Sequence, residues 1–109
     1  MRIATDNLTI SNGAMTADRT SEVILLDHQY GYSVQIAWTG TPTGDFTLEA
    51  SNDNTTFITV SGSTVAAGGG AGNHLWEVDV AMYRYVRVKY TFTSGTGTWT
   101  QALSYSKGM

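Results

Sequence analysis

The sequence predicts an all-β fold, an antiparallel β-sandwich of two sheets with jelly-roll-like connectivity and seven to eight strands. Of the 109 residues, 26 are Thr or Ser, and the side chains that sustain exposed helix faces are scarce. No segment longer than ten residues has the apolar spacing of an amphipathic helix, whereas strict alternation recurs throughout. Because antiparallel strands with one apolar face need a second sheet to cover that face, a sandwich is the expected solution.

Eight segments carry the strand pattern. Three are short candidates, at residues 8–10, 23–27 and 57–60. Five are longer alternating runs, at residues 32–39, 45–51, 74–80, 83–93 and 98–106. Residues of one parity in these runs are predicted to form the core, namely Trp38, Phe46, Trp76, Val78, Val86, Val88 and Phe92. In the last run, Trp99, Gln101, Leu103 and Tyr105 share one face, opposite Thr98, Thr100, Ala102 and Ser104.

Turn residues separate these runs. Residues 39–45 contain the chain's single proline and two glycines, and residues 51–56 are rich in Asn and Asp. The sequence SGTG at 94–97 is typical of a β-hairpin between the runs on either side of it. The glycine-rich stretch 66–72 is too short for an interdomain linker and is expected to be a loop.

The chain is expected to form one sandwich domain, residues 21–109, preceded by an N-terminal arm, residues 1–20. The arm has four scattered apolar side chains, Ile3, Leu8, Ile10 and Met15, among polar ones. Because so few apolar groups cannot hold a long segment by burial, we expect the arm to make contacts outside its own domain.

Composition excludes several classes of function. Without cysteine there is no disulfide or thiolate site. The formal charge of −3 and the pI near 5.0 argue against nucleic acid as a partner. The longest apolar runs are far shorter than the ~20 residues of a membrane span, and no secretory signal peptide is expected.

No catalytic, cofactor or metal site is predicted. His28 and His74 lie in different strand regions and belong to no recognised catalytic motif, so both are expected to be ordinary strand-end residues. Glu77 and Asp79 share a strand face at a spacing that could suit glycoside hydrolysis, but two solvated acids on the outer face of a strand are the default explanation. The Asn52–Asp53–Asn54 triplet offers oxygen ligands for Ca²⁺, yet it has a single carboxylate and is better explained as a self-satisfying turn.

The segment MYRYVRVKY, residues 82–90, is the candidate binding surface. Tyr83, Tyr85, Arg87 and Lys89 are predicted to project from one strand face, where Tyr and Arg suit a protein interface. Covering of the sheet by amphipathic side chains is the alternative explanation. In a homo-oligomer the two cations would need acidic partners, for which Glu49, Glu77 and Asp79 are the candidates.

Two known groups of proteins share parts of this pattern. SNDNTTF (51–57) and RYVRV (84–88) resemble hairpin and strand motifs of discoidin-like β-sandwiches. The order WTGTPTG, SND, a glycine-rich loop, RYVRV, SGTG and a terminal Lys-Gly resembles small bacteriophage virion proteins over about the last three-quarters of the chain. The second resemblance implies a non-enzymatic protein of the virion, made in the host cytoplasm, that decorates and cements a capsid or belongs to a tail or baseplate.

The virion resemblance implies the major capsid protein or another virion protein as partner, and a homo-oligomer, with a trimer favoured. A carbohydrate-binding or adhesion module is the alternative. It would use exposed aromatic side chains as sugar platforms, and Trp38, Trp76 and Trp99 are the candidates, although all three also fit the apolar phase of a strand.

Overall fold

A computed structural model describes residues 3–7, 14–26, 29–78 and 82–108. Every regular element in these residues is a β-strand. The ten strands are β1 (Ile3–Asn7), β2 (Arg19–Thr20), β3 (Ile24–Leu25), β4 (Gln29–Gly40), β5 (Asp45–Ser51), β6 (Ile58–Thr59), β7 (Val65–Ala66), β8 (Gly72–Val78), β9 (Tyr85–Thr91) and β10 (Gly97–Gly108). The candidate strand at 8–10 lies outside the described residues.

The strands form two antiparallel sheets. The first sheet has the order β1-β10-β4-β8, and the second has the order β2-β9-β5-β6, with β3 also paired to β9 and β7 to β5. Because β2 and β3 pair with successive stretches of β9, they act as one interrupted edge strand, and β6 and β7 do the same along β5. Each sheet therefore has four strand positions. Numbered along the chain these run 1-8-3-6 and 2-7-4-5, which is jelly-roll connectivity and confirms the predicted fold class.

The core lies between the sheets and follows the predicted alternation over most of its length. Trp38, Phe46, Trp76, Val86 and Val88 are buried, as predicted, and Val78 is partly buried against the same core. The Phe46 ring lies at the centre of an aromatic cluster, with the rings of Trp38, Tyr90 and Trp99 at centroid distances of 4.8, 4.9 and 5.2 Å. Such contacts add to the burial energy of large side chains.

The prediction for Phe92 was wrong, since 37% of this residue is exposed. Strand β9 ends at Thr91, so the alternation that places Val86, Val88 and Tyr90 inside does not reach Phe92. Its backbone N–H instead donates to Oδ1 of Asp18, at 2.8 Å.

Strand β10 corrects the predicted faces of the last run. Trp99 pairs with Trp38 and Gln101 with Ala37, which leaves Thr100 as the extra residue of a β-bulge. Beyond the bulge the alternation is reversed. As a result, the side chains of Ala102, Ser104 and Ser106 are buried, and those of Gln101, Leu103 and Tyr105 face outward. The faces assigned from the sequence therefore hold for residues 98–100 and are inverted after them.

The predicted hairpin at 94–97 is also corrected. Strand β9 belongs to the second sheet and β10 to the first, so this turn crosses between the sheets. It packs on the turn that follows β4, where the Thr41 N–H donates to the Thr96 carbonyl at 2.6 Å. Gly95 has a φ of 83°, and a Cβ there would lie 2.1 Å from the Thr41 carbonyl oxygen, so the site requires glycine.

The described part of the predicted N-terminal arm lies within the sandwich. Strand β1 forms the edge of the first sheet beside β10, and β2 pairs with β9 in the second. Between them Met15 is fully buried in the core, and its N–H donates to the Gly97 carbonyl at 2.9 Å. Backbone pairing and one large apolar side chain anchor this segment, although its few apolar residues had predicted that burial would not hold it. Leu8 and Ile10 lie outside the described residues.

Candidate interaction surface

Three of the four predicted interface residues lie together on the outer face of the second sheet. Tyr85, Arg87 and Lys89 alternate along β9 with side chains that are fully or nearly fully buried. In register they lie opposite Ser51, Glu49 and Thr47 of β5. Because the inward side chains of β9 are locked in the core, the outward ones project from a rigid strand.

Arg87 is held between two groups of its own chain. Its Nε lies 2.9 Å from Oε1 of Glu49, in an ion pair whose side chains are 27% and 11% exposed respectively. Its guanidinium carbon lies 3.9 Å from the centroid of the Phe57 ring. Glu49, which the sequence suggested as an intermolecular partner, therefore neutralises Arg87 within the same molecule.

Tyr83 does not share this face, contrary to the prediction. It precedes β9, which begins at Tyr85, and it packs against the edge of the core. Its hydroxyl hydrogen-bonds the hydroxyl of Tyr32 in the first sheet, and the two rings meet edge to face at 6.2 Å. Burial raises the pKa of both hydroxyls, and their hydrogen bond links the first sheet to the segment that leads into β9.

The Asn-Asp turn satisfies its own backbone. Oδ1 of Asp53 accepts hydrogen bonds from the N–H groups of Thr55 and Thr56, both at 2.9 Å, and from the Ser51 hydroxyl at 2.7 Å. These bonds, that from Thr56 foremost, lower the pKa of Asp53 to about 2. Oδ1 of Asn52 accepts from the Arg84 N–H at 3.0 Å. The described part of the chain holds no group of three or more His, Cys, Asp or Glu residues arranged to bind a metal.

A groove of about 660 Å³ lies beside this turn, at one end of the sandwich. Its apolar walls include Ile58 and Met82, which are 69% and 87% exposed, and Tyr83 contributes to its lining. The sequence placed residues 57–60 in a strand and Met82 in the basic–aromatic segment, and neither assignment indicates a groove. The groove forms because the segment after β5 and the segment before β9 meet there. That contact depends on the tertiary structure and not on local sequence pattern.

The histidine and carboxylate candidates are not brought into a catalytic arrangement among the described residues. The His74 ring packs edge to face on Trp76, with centroids 4.9 Å apart. Glu77 is exposed on the outer face of the first sheet. His28 and Asp79 lie outside the described residues. Across the residues the structure covers, no helix is long and apolar enough to cross a membrane.

The three tryptophans are core residues. Trp38, Trp76 and Trp99 are between 2% and 7% exposed. Each indole N–H donates to a backbone carbonyl of the same chain, at 2.8 to 3.0 Å. None of them is therefore available as a flat platform for a sugar ring.

Comparison with known proteins identifies the fold. No protein-family model matches the chain, and no curated protein is significantly similar to it. Among solved structures, the SPBc2 prophage-derived protein YomS superposes with a TM-score of 0.62 at 14% identity, over 97% of this chain and 95% of that one. The C-terminal CBM6 of LamC, a marine laminarinase from Zobellia galactanivorans, has a TM-score of 0.50 at 12% identity, over 95% and 91%. At such identities the likeness shows that the chain shares its β-sandwich fold with these proteins.

Proposed function

We propose that this protein is a non-enzymatic structural component of a bacteriophage virion, and that it binds and stabilises an assembled capsid lattice. The docking face is the outer face of the second sheet, defined by Tyr85, Arg87 and Lys89 of β9 with Glu49 and Phe57 beside them. The fixed position of Arg87, between Glu49 and Phe57, is the observation that carries the proposal. A preorganised arginine and tyrosine face loses little conformational entropy when a partner covers it.

One structural comparison supports a phage origin. The prophage-derived neighbour has the same fold over almost the whole of both chains. The sequence order that resembles small virion proteins covers the strands that carry the docking face. Symmetric lattices present repeated sites, which suits a small sandwich whose function lies in its surface.

A carbohydrate-binding module is the second candidate, favoured by the groove of about 660 Å³. Polar groups of Asn52, Thr56 and Thr59 surround its apolar walls, a combination that suits a small ligand. With the tryptophans buried, sugar binding would have to use this groove and the Tyr83 ring.

Lys89→Glu tests lattice docking without breaking the Glu49–Arg87 pair. The probe is the purified particle of the phage that encodes the chain, with the wild-type protein expected to co-sediment with it. Lys89→Glu should lower occupancy at least ~tenfold while the free energy of unfolding changes by less than about 0.5 kcal/mol. Thr64→Glu is the control for an added glutamate, because it places one at an exposed loop position, with a net-charge change of −1 against −2 for Lys89→Glu.

Equal occupancy by Lys89→Glu and the wild type would refute the docking face. Absence of the wild-type protein from the particles, together with saturable binding on a glycan array that Tyr83→Ala abolishes, would replace the proposal with the carbohydrate module.

A further inference from the structure

We propose that the outer face of the first sheet binds a second copy of this chain in a two-fold symmetric dimer. The self-contact face consists of three rows of outward side chains that run across β10, β4 and β8. In register order these rows are Leu103–Gln35–Leu75, Tyr105–Ser33–Glu77 and Gln101–Ala37–Asn73. This surface lies on the opposite side of the sandwich from the docking face, so both can be occupied at once, and the dimer does not depend on lattice binding.

The self-contact face exposes large apolar groups on a flat surface. Leu75 is 51% exposed and Tyr105 is 45% exposed, while Leu103 and Ala37 are half-buried. Leu103 and Tyr105 reach this surface only because the bulge at Thr100 reverses the alternation of β10. Exposed leucine and tyrosine clustered on one sheet face are typical of an interaction surface.

Charge on this face favours a copy of the same chain as the partner. Of the nine side chains in the three rows, Glu77 alone is charged, so two copies can meet without opposing a row of like charges. A strongly charged partner would find no complementary groups here. The docking face differs in this respect, because Arg87, Glu49 and Lys89 lie close together on it.

The rows are also complementary to themselves. A two-fold axis parallel to β4, passing between the Gln35 side chains of the two copies, places β8 of one copy over β10 of the other. Leu75 then lies opposite Leu103 of the second copy, and Glu77 lies opposite Tyr105, whose hydroxyl can donate to the carboxylate. The two Glu77 side chains fall on opposite flanks of the axis, so they do not repel each other at short range.

The area of the face fits a weak, transient dimer. Three strands about 4.8 Å apart, over the seven register pairs that join β4 to β8, give a flat footprint of roughly 340 Å² per copy. Two copies would bury roughly 690 Å² before side-chain relief is counted, below the ~1,000 Å² of a stable specific interface. We therefore expect a dimer that dissociates readily on dilution. A two-fold contact makes a dimer, whereas the sequence favoured a trimer.

Light scattering during size-exclusion chromatography of the full chain, over a dilution series, tests the proposal. The wild type should have a mass of twice 11.7 kDa at high concentration. Leu75→Glu should raise the dissociation constant at least ~tenfold, since it buries unpaired carboxylates at two symmetric positions. Thr64→Glu should dimerise like the wild type. A wild type that is monomeric or trimeric throughout, or a Leu75→Glu protein that dimerises normally, would overturn the proposal.

Cross-linking identifies the face independently of stability. Because the chain has no cysteine, Gln35→Cys introduces a single reactive thiol, which the axis places opposite its symmetry mate. Stacked sheets lie about 10 Å apart, too far for a disulfide, so a short bis-maleimide reagent is the probe. Gln35→Cys should give a covalent dimer and Thr64→Cys should not. The reverse result would show that the copies meet through another surface. This readout does not depend on whether the protein binds phage particles.

Discussion

Arg87 shows how a residue that looks like a free surface cation becomes part of the fold. Its guanidinium is paired with a carboxylate that is 11% exposed and covers an aromatic ring. From the alternation of its strand alone, the position is predicted to be a surface site. Because the Glu49 carboxylate would lose its partner, a substitution here affects stability as well as binding.

Arg87→Met should therefore destabilise the protein by about 1–3 kcal/mol in urea unfolding, although the methionine can still cover Phe57. Lys89→Met, on the same strand face opposite Thr20 and Thr47, is the control and should cost less than about 0.5 kcal/mol. Adding Glu49→Gln to Arg87→Met should recover part of the loss, since it removes the unpaired charge. Equal effects of Arg87→Met and Lys89→Met would show that the ion pair contributes nothing measurable.

The hydrogen bonds of Asp53 predict that the stability of its turn depends on pH. Its folded pKa of about 2 lies below the ordinary value of 3.8, so its hydrogen bonds stabilise the turn above pH 3.8. That contribution is lost as the pH falls through about 2. Ser51→Ala removes one donor and should raise the Asp53 pKa in a carboxyl-carbon NMR titration, while the Thr56 and Thr55 N–H groups still hold it below 3.8. Ser61→Ala is the control and should leave the titration unchanged.

At the scale of the element, β10 shows how one extra residue changes the surface of a sheet. The bulge at Thr100 turns Ala102 inward and Leu103 outward, opposite to the uninterrupted alternation. Because the side-chain period of a strand is two, a single unpaired residue inverts everything that follows it.

Aspartate substitutions at Ala102 and Leu103 distinguish the strand with the bulge from the strand with uninterrupted alternation. Ala102→Asp should cost several kcal/mol and abolish cooperative thermal unfolding, because the carboxylate enters a site with no exposure. Leu103→Asp should change the stability of the monomer by about 1 kcal/mol or less when melting is followed at high dilution. If Leu103→Asp were the more damaging change, the strand would follow its uninterrupted alternation.

For the whole molecule, residues 3–7 and 14–26 contribute to both sheets. Strand β1 is an edge of the first sheet, β2 and β3 together form an edge of the second, and Met15 fills part of the core between them. An N-terminal truncation therefore removes strand pairing from both layers of the sandwich.

Deletion of residues 1–20 should abolish cooperative unfolding. If these residues were an arm outside the sandwich, their deletion would leave the stability of the domain unchanged. Met15→Ala isolates the packing contribution and should cost about 2–4 kcal/mol in urea unfolding. Thr16→Ala, at the exposed neighbouring position, should have little effect. A truncated chain that melts at the wild-type temperature would show that residues 1–20 form an arm outside the sandwich.

The sequence was sufficient to predict the architecture because alternation is a local property of a strand. Runs such as 32–39 and 45–51 place one parity inside whatever the partner strand is, so the all-β class and most of the core followed from pattern alone. The same argument placed Tyr85, Arg87 and Lys89 on one face. The Asx-rich turn was predicted for the same reason, since its hydrogen bonds join residues no more than three positions apart.

Other features depended on which strands meet in space, and local pattern does not encode that. The assignment of β9 and β10 to different sheets turned an apparent hairpin into a crossing between layers. Pairing with β4 positioned the bulge that exposes Leu103 and Tyr105, and pairing with β5 gave Arg87 its carboxylate. Backbone pairing and a single buried methionine likewise brought the N-terminal segment into the sandwich. The alternation along each strand was thus readable from sequence, whereas partner, register and bulge were decided by long-range backbone hydrogen bonds and by the shape of the core they enclose.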